Sequence, residues 1–227
     1  PFSPGDHLLI SDCEHPGVVA ACKELAKQKG LSIDILPVQG LRQGVDNTNQ
    51  DDLSLLTMLE KCLTPKTRLV AISHILWNTG KIIPIKLLAD LLLEHPNKPY
   101  LLVDAAQSFG QISIKDAASV ADIYGFTGHK WACGPEGLGG VAISERVLEE
   151  SISTLIGWRS LKKEESIYQN NNNQLHHDAR RFEVATSCIP LLAGLRCSLD
   201  LLEKEGNEME RIEKIRRLSK KLWNQLN

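Results

Sequence analysis

The stretch "YGFTGHKWACGPEGLGG", Tyr124 to Gly140, sets a lysine between a histidine and a tryptophan and then turns the chain on a run of glycines. Lys130 has company of a suggestive kind. Asp104 closes the apolar run "YLLVD", Gln107 follows three residues later, Thr127 and His129 stand just before the lysine, and His15 precedes a proline near the start. Each has an ordinary role if taken singly. Asp104 would cap a helix, His15 would open one, Lys130 would be a surface cation, and the glycines would mark a turn. Read together, all of these residues fall at or just beyond the carboxyl ends of apolar runs, and the set acquires a chemical meaning.

A lysine held in a crevice at a strand end suits Schiff-base chemistry, because a partly desolvated amine gives up its proton more readily and becomes nucleophilic near neutral pH. Such an amine needs a carbonyl. Pyridoxal phosphate supplies an aldehyde, and it asks the protein for a carboxylate at the pyridine nitrogen, a flat group over the ring and donors for the phosphate. Asp104 answers the first demand and His15 the second. Thr127 and His129 answer the third, and Gln107 is placed to hydrogen-bond the phenolic oxygen.

The elements around these residues alternate. Strand "HLLIS" leads to a helical segment "HPGVVAACKELAKQKG" stopped by Gly30, then to strand "LSIDILPV". The pattern repeats with helix "DDLSLLTMLEKCL" capped by Asp51, strand "TRLVAIS", helix "PIKLLADLLLEH" opened by Pro84, and strand "YLLVDAA". Short continuous apolar strands between amphipathic helices predict an α/β fold with a mostly parallel sheet between helix layers. Strands "DIYGF" and "GGVAIS" flank the lysine motif, the second a candidate for antiparallel pairing. Helices follow at "ERVLEESIST", "IPLLAGLRCSLDLLEKEG" and "NEMERIEKIRRLSKKLWNQLN", the last with an apolar face of Met209, Ile212, Ile215, Leu218, Leu222 and Leu226. The polar stretch "KKEESIYQNNNNQLHHDARR" reads as an exposed loop. Because ligands in open α/β sheets sit beyond the strands' carboxyl ends, the loops "SDCEHPG", "SHILWNTG", "VDAAQSFG" and "FTGHKW" should meet at one crevice.

Composition narrows the partners. The 227 residues are 42% hydrophobic and 24% charged, and 26 basic residues against 28 acidic ones leave no basic stripe for nucleic acid or an anionic membrane. No run has the length of a membrane span and no secretory pattern opens the chain, so a cytosolic or plastid-stromal home is expected. The six cysteines (Cys13, Cys22, Cys62, Cys133, Cys188, Cys197) form no C-x-x-C pair and read as buried thiols, without a metal site or disulfide framework.

The segment "VDAAQSFGQISIKDAASVADIYGFTGHKWACGPEGLGG" resembles the central signature of the class V pyridoxal-phosphate-dependent enzymes, the family of cysteine desulfurases, cysteine and cystine lyases and isopenicillin-epimerase-like proteins. It carries D-x-x-Q followed by [ST]-x-H-K and a glycine-rich turn. "EHPG" resembles the family segment with the ring-stacking histidine, here His15. "SHILWNTGKIIPI" resembles the segment in which an asparagine approaches the cofactor, for which Asn78 is the candidate. "RFEVATS" resembles R-F-E-x-G-T-P, whose threonine, here Thr186, reaches the phosphate bound to a partner subunit. Ala185 and Ser187 depart from that pattern where glycine and proline are usual.

The resemblance implies pyridoxal-phosphate fold type I, a homodimer, Lys130, His15 and Asp104 as catalytic residues, and a small amino-acid substrate. "LWNTG", "GWRS" and "RFEVATS" look closest to the cystine and cysteine lyase branch, which implies β-elimination from cysteine or cystine to pyruvate, ammonia and sulfide or persulfide. A cysteine desulfurase is the alternative within the family, and a noncatalytic remnant of the cofactor fold the alternative outside enzymology. The chain opens "PFSPGDHLLIS" without an initiator methionine and is expected to be a fragment, incomplete at both ends. On that reading residues 1–205 form most of the cofactor-binding large domain, 206–227 lead into a small domain that is missing, and the chain alone is inactive and prone to associate.

Overall fold

The computed structural model describes residues 2–41, 49–162 and 174–226. Among these, the apolar runs form one sheet of six strands: β1 (His7–Ser11), β2 (Ser32–Leu36), β3 (Thr67–Ser73), β4 (Tyr100–Asp104), β5 (Ile123–Thr127) and β6 (Gly139–Ile143). The spatial order is β2-β1-β3-β4-β5-β6. The first five strands run parallel and β6 pairs antiparallel with β5. The helices are α1 (Pro16–Lys29), α2 (Asn49–Cys62), α3 (Ile85–Glu94), α4 (Lys115–Val120), α5 (Glu145–Glu150), α6 (Ile189–Lys204) and α7 (Glu208–Leu226).

Strand residues alternate between two apolar layers, because successive side chains leave opposite faces of the pleat. Leu9, Val70, Ile72, Leu101 and Val103 point into one layer with Leu55 and Leu59 of α2, Leu88 and Leu92 of α3, and Ala117 of α4. Leu8, Ile10, Leu69 and Ala71 point into the other with Cys22 and Ala26 of α1. Covering on both faces explains why β1 and β3 read as continuous apolar runs rather than alternating ones. Gly30 ends α1 in the left-handed conformation at φ 67°, and its N–H closes onto the Ala26 carbonyl.

Several boundaries differ from the sequence reading. Asp51 does not cap α2, which begins at Asn49; Asp51 and Asp52 instead occupy its first turn, where carboxylates suit the helix dipole. The helix expected over "ERVLEESIST" stops at Glu150. Arg181 supplies the reason, since its guanidinium donates to the Leu148 and Ser151 carbonyls and to Ser151 Oγ, satisfying the helix end. The short helix α4 falls where the sequence pattern marks none. Cys13 and Cys22 are buried as expected, but Cys133, Cys188 and Cys197 are exposed. On α7 only Ile212 of the expected apolar face is buried; Met209, Leu218, Leu222 and Leu226 are exposed. Residues 163–173 of the asparagine-rich stretch lie outside the described residues.

Three buried polar side chains tie the carboxyl edge of the sheet together. His74 Nδ1 and Tyr124 Oη are 2.7 Å apart, and Ser108 Oγ lies 3.1 Å from the same hydroxyl. The His74 N–H donates to the Asp104 carbonyl at 2.9 Å, and the Ala105 N–H to the Gly125 carbonyl at 2.7 Å. The end of β3, the turn after β4 and Tyr124 within β5 are thereby joined in one network beneath the loops.

Burial holds His74 down at about 4, against an ordinary value of 6.5. A folded-state value below the unfolded one means that, as pH falls, the unfolded chain takes up its proton first, so this contribution to stability is intact above about pH 6.5 and lost on approach to about pH 4. From this residue alone the unfolding free energy should fall by about 3 kcal/mol across that window. Urea titrations at a series of pH values should show the fall in the native sequence and a flatter profile in His74→Gln. Parallel profiles would contradict the assignment.

Candidate active site

The loops that follow β1, β3, β4 and β5 converge on a crevice of about 510 Å³, walled by His15, Pro16, Ser73, Ile75, Trp77, Asp104, Ala106, Gln107, Thr127 and Lys130. Their convergence follows from parallel pairing. In register, Ser73 faces Asp104 across β3 and β4, and Asp104 faces Gly125 across β4 and β5. Each strand therefore releases its last polar residue at the same edge.

Each wall residue is held by a local device. The loop after β1 runs directly into α1 with Pro16 in the first turn, where its lack of an N–H costs nothing. His15 caps this helix, its Nδ1 accepting the Gly17 N–H at 3.1 Å, so in the neutral ring the proton sits on Nε2. Asp104 Oδ1 accepts the Ala106 N–H at 2.8 Å, which fixes the carboxylate, while its second oxygen has no hydrogen-bond partner among the described residues. Lys130 lies in a tight loop closed by the Cys133 N–H on its own carbonyl at 3.0 Å and by the Gly134 N–H on the Gly128 carbonyl at 2.8 Å. No described residue pairs with its ammonium group. Thr127 Oγ1 is buried and has no hydrogen-bond partner among the described residues. A buried hydroxyl left unpaired costs free energy, so this oxygen is suited to meet a ligand.

Of the residues singled out in the sequence, His15, Asp104, Gln107, Thr127 and Lys130 thus share the crevice wall. Asn78, His129 and Thr186 do not line it. Asn78 donates its amide to Cys13 Sγ at 3.4 Å, His129 stands beside Lys130 without lining the crevice, and Thr186 is exposed in the segment before α6.

The most strongly held residue at the site is one that the sequence reading passed over. Glu14 is buried. It accepts the Ser11 hydroxyl at 2.5 Å, the Ser73 N–H at 2.8 Å and the Ser73 hydroxyl at 2.9 Å, welding the end of β1 to the end of β3. Desolvation pushes its carboxyl above the usual range against the pull of these donors, and the charge of Asp104 adds to the rise. The available signal was the "SDCEH" spacing, which sets Glu14 three residues after Ser11; its partner on β3 had no sequence mark. Trp77 and Trp131 were also passed over as wall-forming groups. A second cavity of about 350 Å³ shares Ile75, Trp77 and Gln107 with the crevice as wall residues and is lined by Trp131. Among the described residues no cluster of histidine, cysteine and carboxylate side chains could hold a metal ion, and no helix is long and apolar enough to cross a membrane.

Comparison with known proteins places these features in context. Residues 1–227 match the family model described as Aminotransferase class-V. The probable cysteine desulfurase of Halalkalibacterium halodurans is 29% identical over 210 residues, which cover 92% of this chain and 47% of that protein. A solved structure of a lysine-to-alanine mutant of C-DES, with glycine covalently linked to its PLP cofactor, aligns with a TM-score of 0.85 at 36% identity over 98% of this chain and 56% of that one. The complex between the cystine C-S lyase C-DES and its reaction product cysteine persulfide aligns with a TM-score of 0.81 at 36% identity, over 94% and 54% of the two chains. The α/β fold expected from the sequence, that of fold type I, is the fold observed. The chain spans about half the length of the curated relatives it matches.

Removal of the Glu14 carboxylate should loosen this edge. Glu14→Ala leaves the buried Ser73 N–H and hydroxyl without their acceptor, and the expected loss of stability is about 2–4 kcal/mol. Denaturant unfolding at neutral pH reads this directly. A loss below about 0.5 kcal/mol, the range of ordinary surface substitutions, would show that the weld is dispensable.

Proposed function

Since the chain belongs to the class-V aminotransferase family, we propose that its crevice serves a pyridoxal-phosphate-dependent carbon–sulfur lyase acting on cysteine or cystine. The observation that carries this reading is the meeting of Lys130, Asp104, His15, Gln107 and Thr127 in one crevice. The residues fit the cofactor. Lys130 offers an amine with no competing partner, Asp104 an unengaged carboxylate oxygen, and Thr127 a buried hydroxyl lacking a hydrogen bond. The choice of a sulfur substrate is supported by the 36% identity to the cystine C-S lyase whose product is cysteine persulfide.

Bound pyridoxal phosphate would supply an electron-withdrawing ring conjugated to the substrate's α-carbon. Asp104 holds a proton on the ring nitrogen through its free oxygen, which makes the ring a stronger acceptor of electrons. His15 covers the ring face, and its orientation is fixed by the bond to the Gly17 N–H. Thr127 binds the phosphate. Lys130, which lines the crevice, would take the substrate's α-proton on its Nζ. Loss of that proton would let the substrate's carbon–sulfur bond break, with the C–H electron pair becoming the α–β double bond and sulfur departing with the C–S bonding pair. With water, cysteine yields pyruvate, ammonia and hydrogen sulfide, and cystine yields pyruvate, ammonia and cysteine persulfide. Thr186, exposed before α6, is assigned to the phosphate held by a second copy in a two-fold dimer.

Desulfurase activity is the competing reading, because curated relatives carry that name. That reaction passes the sulfur to a cysteine nucleophile and releases alanine. Product identity separates the two. With pyridoxal phosphate and cystine or cysteine the protein should form pyruvate, whereas alanine would overturn the lyase reading. Asp104→Ala should lower kcat by about a hundredfold or more while changing cofactor affinity by less than about tenfold, because its proton acts on the charge that develops during reaction. Equal losses in both would show that Asp104 serves binding and not the developing charge.

A further inference from the structure

We propose that Trp131 is a positioning residue that sets which way the Gln107 amide faces, so that Gln107 offers its NH₂ group, and not its carbonyl oxygen, to the ligand in the crevice. The inference rests on the pyridoxal-phosphate reading of the crevice and adds to it a residue that does not line the crevice.

The indole Nε1–H of Trp131 donates to Gln107 Oε1 at 2.8 Å. Indole nitrogen is a donor and never an acceptor, so a Gln107 turned the other way would set its NH₂ against an N–H. One hydrogen bond therefore selects one of the two amide orientations. With the oxygen turned toward the indole, the NH₂ group is the end of the amide left to donate into the crevice. Gln107 belongs to the walls of both the crevice and the adjoining cavity, and Trp131 to the wall of the cavity, so the bond lies where the two meet.

The backbone that carries Trp131 is held close against Gly110. Gly110 has φ +86°, and a side-chain carbon there would lie 2.5 Å from the carbonyl carbon of Trp131 and 2.6 Å from Cα of Ala132. The turn that carries Gln107 and the loop that carries Lys130 thus dock backbone on backbone. Ala132 is fully buried at this contact. Since Trp131 directly follows Lys130 in the chain, the same contact fixes the lysine's loop and the direction of the amide.

The consequence is electrostatic. An anionic oxygen on the cofactor meets a hydrogen-bond donor, which stabilises the anion. Without the indole N–H the amide is free to turn, the anion becomes more basic, and a proton shared with it is held to higher pH. In protein loaded with pyridoxal phosphate, Trp131→Phe should therefore raise the pH midpoint of the visible absorption band by about 0.5–1 unit. Trp131→3-benzothienylalanine, which replaces only the N–H by sulfur, should raise it equally and guards against a folding defect in the phenylalanine variant.

The shift should vanish in a Gln107→Ala background, as expected for a residue acting through Gln107. A midpoint unmoved by either replacement, or a shift that persists without Gln107, would overturn the role of Trp131 alone. Absence of any visible band from the native protein would overturn the pyridoxal-phosphate reading and the role of Trp131 with it.

Discussion

Ser73, Asp104 and Gly125 stand side by side because β3, β4 and β5 run parallel and in register, and the chemistry of the site depends on that pairing. Parallel strands all end at one edge, so the residue that follows each apolar run is delivered to the same place. An antiparallel arrangement would have sent Asp104 and Lys130 to opposite ends of the sheet. β6 is the strand that does run antiparallel; it begins after the glycine-rich turn, and so it returns the chain from the crevice without adding a loop to it. A slip of one residue in the pairing of β4 would carry Asp104 to the other face, and the two apolar layers that β4 serves oppose such a slip.

That edge is polar and partly buried, a combination that is costly unless hydrogen bonds are complete. Two networks complete them. Glu14 binds the ends of β1 and β3 from one side, and His74, Tyr124 and Ser108 join β3, β4 and β5 from beneath. Both networks consist of groups whose ionisation is shifted by burial: Glu14 upward, His74 down to about 4, Tyr124 up to about 12. The residues assigned to the ligand differ in kind. Lys130, one oxygen of Asp104 and the Thr127 hydroxyl are left unpaired by the described residues. The supporting groups are hydrogen-bonded to one another and the working groups are held open.

Much of this was legible in the sequence, and the reason is periodicity. Strands buried on both faces must be apolar throughout, so "HLLIS" and "TRLVAIS" announced themselves, and the residues just past them could be assigned to one crevice by topology alone. His15, Asp104, Gln107, Thr127 and Lys130 were gathered in that way. What escaped was set by contacts between distant segments. Glu14 owes its place to Ser73, on a strand far along the chain. The bond from Trp131 to Gln107 depends on a close backbone approach at Gly110, a residue that reads as one more turn glycine. Helix α5 ends early because Arg181 arrives from another segment to satisfy its carbonyls. His129 was gathered by the same reading as Thr127, and Asn78 and Thr186 came from motif resemblance; all three stand outside the crevice wall. Thr186 keeps only its proposed role across a dimer.

The central claim is that the crevice orients Lys130 as the covalent anchor of the cofactor. Its most direct test is to incubate the protein with pyridoxal phosphate, reduce with borohydride, digest, and locate the pyridoxyl mass by peptide sequencing. The account predicts one label per chain, on the peptide that carries Lys130, and loss of that label in Lys130→Ala. A label on another lysine, or one spread over the surface lysines with Lys130 unmodified, would contradict it.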